Sequence, residues 1–214
     1  MVITIKDPIT TTSFIDRFLV NAEAYSIETL LVFNKYDIYD KEEQNKIDNL
    51  VEIYSNIGYK CLLTSTINNF NITNLKEEVT KKTIMFGGHS GVGKTSLINA
   101  IDSSLELKVG DISSQHLQGK HTTTYAELFD LDSNTKLIDT PGIKGFGLVN
   151  FKKEEISDFF PEFLREKNKC KFSNCLHLNE PNCQIKEMVK KNIISESRYE
   201  NYIQILNDEN LKHR

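Results

Sequence analysis

No stretch of this chain is apolar for long enough to span a membrane, and its apolar content is 39%, which excludes a transmembrane helix. A secretory leader is equally unsupported, because Lys6, Asp7 and Asp16 interrupt the region where its apolar core would lie. Internal repeats and low-complexity tracts are missing as well. Basic residues are outnumbered, 26 Lys and Arg against 30 Asp and Glu, for a formal net charge of −4. The molecule as a whole therefore does not attract nucleic acid, and any RNA contact must come from a local basic patch. Cysteine is scarce, at four residues. The 214 residues suffice for one α/β domain with a small appended module, and a cytoplasmic protein without membrane association is expected.

Gly88-His89-Ser90-Gly91-Val92-Gly93-Lys94-Thr95 has the G-x-x-x-x-G-K-[ST] form of a phosphate-binding loop. The spacing follows from the chemistry. Backbone N–H groups of a glycine-rich turn must approach the phosphates, Lys94 must reach their outer oxygens, and the Thr95 hydroxyl must hold Mg²⁺. The apolar run before the loop predicts a strand over 83–87, and TSLINAI after it predicts a helix carrying Ser96 in its first turn.

Asn34-Lys35-Tyr36-Asp37 follows the apolar strand Leu30–Asn34 and has the N-K-x-D form of a guanine reader. The Asp37 carboxylate can accept two hydrogen bonds from the guanine N1–H and 2-amino group, while the Lys35 stem can cover the base. Adenine lacks that donor pair, so GTP is favoured over ATP. The reader precedes the phosphate loop by about fifty residues, the reverse of the usual order by which such motifs are read, so the chain reads as circularly permuted. Ser65 and Thr66, after the strand Lys60–Thr64, sit where a second base-contacting strand end belongs, although an ordinary polar loop explains them equally well.

Further along, Asp139-Thr140-Pro141-Gly142 ends a strand over 136–139. Asp139 can bind Mg²⁺ through water, and the Gly142 N–H can contact the γ-phosphate only before hydrolysis, so this loop can act as a switch. Between the two lies His121-Thr122-Thr123-Thr124. Thr122 or Thr123 can complete the Mg²⁺ shell, or the threonines simply open the strand Tyr125–Leu131. Ile143 stands where many GTPases place a water-orienting glutamine, and an aliphatic side chain cannot do that work. His121 is the nearest candidate to replace it; the alternative is a solvated loop residue.

After about residue 149 the pattern changes to helices and a cysteine cluster. Cys170, Cys175, His177 and Cys183 offer three thiolates and one imidazole within fourteen residues, enough to close a structural tetrahedral Zn²⁺ site. Disulfides are the competing reading, disfavoured in a reducing cytosol. From Arg165 to Lys191, seven basic residues stand against three acidic ones, which makes either a solvated face or an RNA-facing patch. The expected division is a GTPase domain over 1–149, with a mainly parallel sheet covered by helices on both faces, and a helical zinc module over 150–214. Helices are also expected over Ser13–Tyr25 and Lys41–Ile57, and a flexible loop over Asn68–Asn74.

In the order of these motifs the chain resembles the ribosome small subunit-dependent GTPase A family, and the resemblance extends to Ile143–Leu148, Phe160-Pro161-Glu162-Phe163 and Ser197-Arg198-Tyr199-Glu200-Asn201-Tyr202. It implies a circularly permuted GTPase that hydrolyses GTP to GDP with Mg²⁺ and carries zinc on the Cys/His quartet. It also implies association with the small ribosomal subunit and its rRNA during subunit maturation, and it points to His121 as catalytic; Lys94 is expected to be catalytic as well, and the protein a monomer. The alternative is a nucleotide-dependent binding module with little turnover. Members of that family open with an OB-fold domain, whereas this sequence opens almost directly on the strand Val2–Ile5.

Overall fold

The computed structural model describes residues 1–103, 127–131, 134–139 and 152–208. Two compact units are formed. The first is an α/β unit built on β1 (Val2–Ile3), β2 (Leu30–Phe33), α2 (Lys41–Ile57), β3 (Lys60–Leu63), α3 (Ile72–Val79), β4 (Thr83–Met85), α4 (Lys94–Ile101), β5 (Glu127–Asp130) and β6 (Lys136–Asp139). β1, β2 and β3 pair in parallel, with Val2 opposite Val32 and Leu31 opposite Cys61. β4 pairs parallel with β6, and β5 lies antiparallel on the far side of β6. A hydrogen bond from Val2 N–H to Gly87 O at 2.7 Å joins the two groups.

The sequence Leu-Leu-Val-Phe in β2 is an unbroken apolar run, as a parallel strand covered on both faces requires. Alternation sends Val2 and Val32 to one face, where they pack with Leu75 and Val79 of α3 and with Leu97 and Ile101 of α4. Ile3, Leu31 and Phe33, pointing the other way, are also buried. On α2, Ile47 and Tyr54 are buried, while Leu50 and Val51 are half-buried. β1 to β4 are each shorter than expected by one or two residues, β6 matches, and β5 ends one residue before Leu131, while residues 125 and 126 lie outside the described residues. One correction is larger: α3 begins at Ile72, inside the stretch expected to be a loop, after Asn71 adopts a left-handed φ of 56°. Asn tolerates that conformation, so the residues that read as loop formers serve as a helix entry. Cys61 is only half-buried, and its thiol lies 3.7 Å from the Tyr59 carbonyl.

The second unit is helical and gathers residues 11–29, 56–58 and the described part of 145–214. Its elements are α1 (Thr12–Ala24), α5 (Lys153–Ile156), α6 (Pro161–Glu166), α7 (Gln184–Lys190) and α8 (Glu196–Leu206). α1 starts where the Thr11 side chain accepts the Phe14 N–H at 3.2 Å, an N-cap that satisfies one of the helix's orphan donors. Val20 of α1 joins Ile156, Phe160, Phe163, Ile185, Met188, Tyr202, Ile205 and Leu206 in one core. The unit thus includes α1, which a division at residue 149 leaves with the nucleotide-binding part.

Candidate functional site

The phosphate loop and the Asn34–Asp37 segment stand beyond the C-terminal ends of β4 and β2, on either side of β1, the edge at which open α/β sheets place ligands. Gly93 caps α4 with φ +96°, and a Cβ there would lie 2.4 Å from Asn34 Nδ2. Only glycine fits both the backbone and the space. At Gly88 a Cβ would stand 2.4 Å from the Val2 carbonyl oxygen, so β1 is laid directly against the loop. The Lys94 ammonium donates to the carbonyls of Gly88 at 2.9 Å and His89 at 2.8 Å. Burial holds its pKa below the ordinary lysine value, and a desolvated cation gains more from a nearby anion. Thr95 is buried at the start of α4, Ser96 is half-buried beside it, and Ser90 and Gly91 form the exposed crest with Val92 buried beneath.

Asn34 ties the two motifs together. Its Nδ2 donates to the Val92 carbonyl at 2.9 Å, and its Oδ1 accepts the Thr64 hydroxyl at 3.1 Å. The Tyr39 phenol donates to the Asn34 backbone carbonyl at 2.8 Å, and burial raises its pKa to about 12. Lys35 adopts φ +64° and its ammonium donates to the Asp7 carbonyl. Asp37 is exposed, and the buried Ser65 hydroxyl donates to its Oδ1. The carboxylate is thereby fixed by one oxygen and open at the other. Thr66 follows, half-buried. Tyr36 stacks on Phe70 with ring centroids 5.5 Å apart.

Asp139 closes β6 opposite Glu127 in the register. His121, Thr122, Thr123 and Gly142 lie outside the described residues.

In the helical unit, the ligand atoms of Cys170, Cys175, His177 and Cys183 all lie within 4.8 Å of one another. His177 Nδ1 is 3.7 Å from Cys170 Sγ and 3.4 Å from Cys183 Sγ. Zinc bonds of about 2.0–2.3 Å imply tetrahedral edges of roughly 3.5–3.8 Å, which the two His177 separations already match, so the donor set suits Zn²⁺. Burial lowers the His177 pKa, which favours the neutral ring that a ligand must be. Its Nε2 is buried without a hydrogen-bond partner, so the ring is oriented by packing. Phe163 and Tyr202 lie with centroids 6.0 and 6.2 Å away. Glu180 binds the Leu176 and Leu178 N–H groups at 2.7 and 2.8 Å, which pins the turn on both sides of His177. The thiols of Cys175 and Cys183 are pushed up, chiefly by burial; a divalent cation reverses that balance by binding thiolates. Stripping metal from the purified chain with a strong chelator is therefore expected to melt the 170–183 loop, since its binding is coupled to folding. Amide exchange confined to residues 165–202 checks this, and unchanged protection there after proven metal loss contradicts it.

Sequence comparison settles the family. The RsgA GTPase profile matches residues 1–149. A protein from Christiangramia forsetii named small ribosomal subunit biogenesis GTPase RsgA is 50% identical over all 214 residues, which cover 68% of its length. Its namesake from Flavobacterium johnsoniae is 52% identical over 206 residues, covering 63% of its length. The chain belongs to the RsgA GTPase family. Among solved structures, YjeQ from Thermotoga maritima superposes with a TM-score of 0.85 at 40% identity, over the whole of this chain and 70% of that one. YloQ, described as a circularly permuted GTPase, gives 0.78 at 30% identity, over 96% of this chain and 65% of that one. The RsgA fold thus carries the permuted order read from the motifs, and the chain spans about two thirds of the length of the RsgA proteins it matches.

One RsgA element was matched by sequence without a role being legible. Arg198 lies buried between two carboxylates. Its Nε and Nη2 reach Glu162 Oε1 and Oε2 at 2.7 and 3.1 Å, and its Nη1 reaches Asp16 Oδ1 at 2.6 Å. Asn201 Nδ2 supplies Asp16 Oδ2 at 2.6 Å, and the guanidinium stands 4.5 Å from the centroid of the Phe160 ring. Glu162 and Phe160 belong to the F-P-E-F segment, and Arg198 and Asn201 to the S-R-Y-E-N-Y tail.

Proposed function

We propose that this chain binds GTP and hydrolyses it to GDP and phosphate, as a cytoplasmic monomer that associates with the small ribosomal subunit and its rRNA during subunit biogenesis. The observation that carries the reading is the Asn34 bridge, which holds the guanine reader and the phosphate loop as one site. Asp37, with Lys35, Ser65 and Thr66, takes the base. The N–H groups of Gly88 to Thr95 and of Ser96 surround the phosphates, and Lys94 exchanges its two loop carbonyls for phosphate oxygens. Thr95 and Asp139, with Thr122 or Thr123, hold Mg²⁺, which neutralises charge developing on the phosphate oxygens. Gly142 senses the γ-phosphate, and His121 assists the attacking water. Cys170, Cys175, His177 and Cys183 hold Zn²⁺ as a structural ion.

The test is GTP and ATP hydrolysis with and without purified small subunits. GTP turnover that rises with subunits, with ATP ignored, is the expected result; equal use of both nucleotides defeats the assignment of Asp37. Lys94→Ala is expected to lower turnover by at least roughly 100-fold, the scale of losing one charge-stabilising contact in a closed site, and Thr95→Ala to make the residual rate depend steeply on Mg²⁺. Single-turnover kinetics of His121→Ala, with binding intact and the chemical step slowed, check the remaining role.

A further inference from the structure

A cavity of ≈ 300 Å³ reaches the Cys/His cluster and is lined in part by Cys170, Cys175 and His177. The rest of its lining includes Glu154, Lys167, Asn168, Lys171, Phe172 and Asn174. The loop is a fixed one. Cys170 N–H donates to the Lys167 carbonyl at 3.0 Å, Cys175 N–H donates to the Phe172 carbonyl at 3.3 Å, and the cysteines on either side are the metal's candidate ligands. Phe172 is nevertheless 39% exposed, although the phenyl ring of a short turn normally pays for its place by burial.

Most of the basic residues that make this segment look RNA-facing are engaged within the unit. Lys169 binds Glu166, Lys190 binds Glu187, Lys167 binds Asp158, and Lys186 donates to the Leu178 carbonyl. Lys171 differs: its ammonium stands 5.4 Å from the centroid of the Phe172 ring. Net positive charge alone therefore does not characterise this surface. The lining combines an aromatic face, two side-chain amides, a carboxylate and a cation resting on the ring. A site for phosphate alone gains nothing from Glu154 or Phe172, and an apolar peptide gains nothing from the amides. An unpaired nucleobase uses all of them: it stacks on the ring, its edge donors and acceptors meet the carboxylate and amides, and its phosphate lies toward the lysine.

We propose that this cavity receives one unpaired nucleotide of an RNA, stacked on Phe172 with Lys171 against its phosphate. The inference rests on the RNA association argued above. The test uses the full metal-loaded chain and a single-stranded RNA oligonucleotide containing 4-thiouridine. Ultraviolet crosslinks mapped to Phe172, Lys171 or Asn168 are expected. Phe172→Leu, with metal content unchanged, is expected to weaken binding by about 5- to 150-fold, the range for losing one base–aromatic stack, without altering the salt dependence. Lys171→Gln is expected to reduce the slope of log affinity against log salt by about 0.7. RNA binding with crosslinks exclusively elsewhere, or insensitive to Phe172→Leu, overturns the cavity while leaving the RNA reading intact. Crosslinks from these residues to ribosomal protein alone, on whole small subunits, overturn it in favour of a protein partner. Failure of the unmodified chain to bind either oligonucleotide or subunits defeats both readings.

Discussion

Asp37→Asn is expected to lower GTP affinity by about 2–4 kcal/mol, roughly 30- to 1,000-fold, and to raise affinity for xanthosine triphosphate. The Ser65 hydroxyl that now donates to Asp37 Oδ1 can donate equally to an asparagine oxygen, so the side chain should keep its position. Its second group then becomes an N–H donor facing the guanine 2-amino group, two donors with no acceptor between them. Xanthine presents a carbonyl at that place and restores the pair. The exchange tests recognition and not stability, because Asp37 itself is exposed. Competition binding with the two triphosphates decides it. If GTP binds unchanged, the base lies elsewhere and the permuted site is wrongly drawn.

Arg198→Leu is expected to destabilise the helical unit by about 3–5 kcal/mol. Arg198 and Asp16 have side chains only 1% and 0% exposed, and Glu162 is almost as deeply enclosed. Removing the guanidinium takes its charge away from two buried carboxylates, and it removes the cation from the Phe160 face as well. Arg198→Lys should recover only part of the loss, since an ammonium cannot bind Glu162 through a two-pronged fork and Asp16 at the same time. Chemical denaturation of the three proteins measures the order. A leucine variant as stable as the parent would mean that packing, not the ion cluster, holds α1, α6 and α8 together.

The contrast between these two sites shows what can be read from residues alone. The phosphate loop was legible because its chemistry dictates fixed spacing over eight consecutive residues, and the reader because Asn, Lys and Asp follow a strand whose apolar run is plain. The Cys/His quartet was legible because thiols are rare in the chain and three fall close together. The Asn34 bridge was not, since nothing local says that its amide reaches Val92, 58 residues away. The Arg198 cluster was hidden for the same reason: Asp16 sits 182 residues earlier, at a buried position of a helix whose periodicity advertises only apolar neighbours. α3 escaped because the asparagines before it favour turns as strongly as they favour helix entries.

The membership of α1 bears on how the chain can be divided. A helix from the first twenty-five residues completes a core otherwise made after residue 150, and it brings the carboxylate that answers Arg198. A fragment ending at 149 would keep α1 with Val20 stripped of its core partners, and one beginning at 150 would keep the guanidinium while losing an anion and a wall. Both cuts expose apolar surface that the intact chain buries. A cut at the change in composition therefore divides a core, and excising the part that carries the Cys/His quartet calls for grafting α1 onto it instead of cutting once.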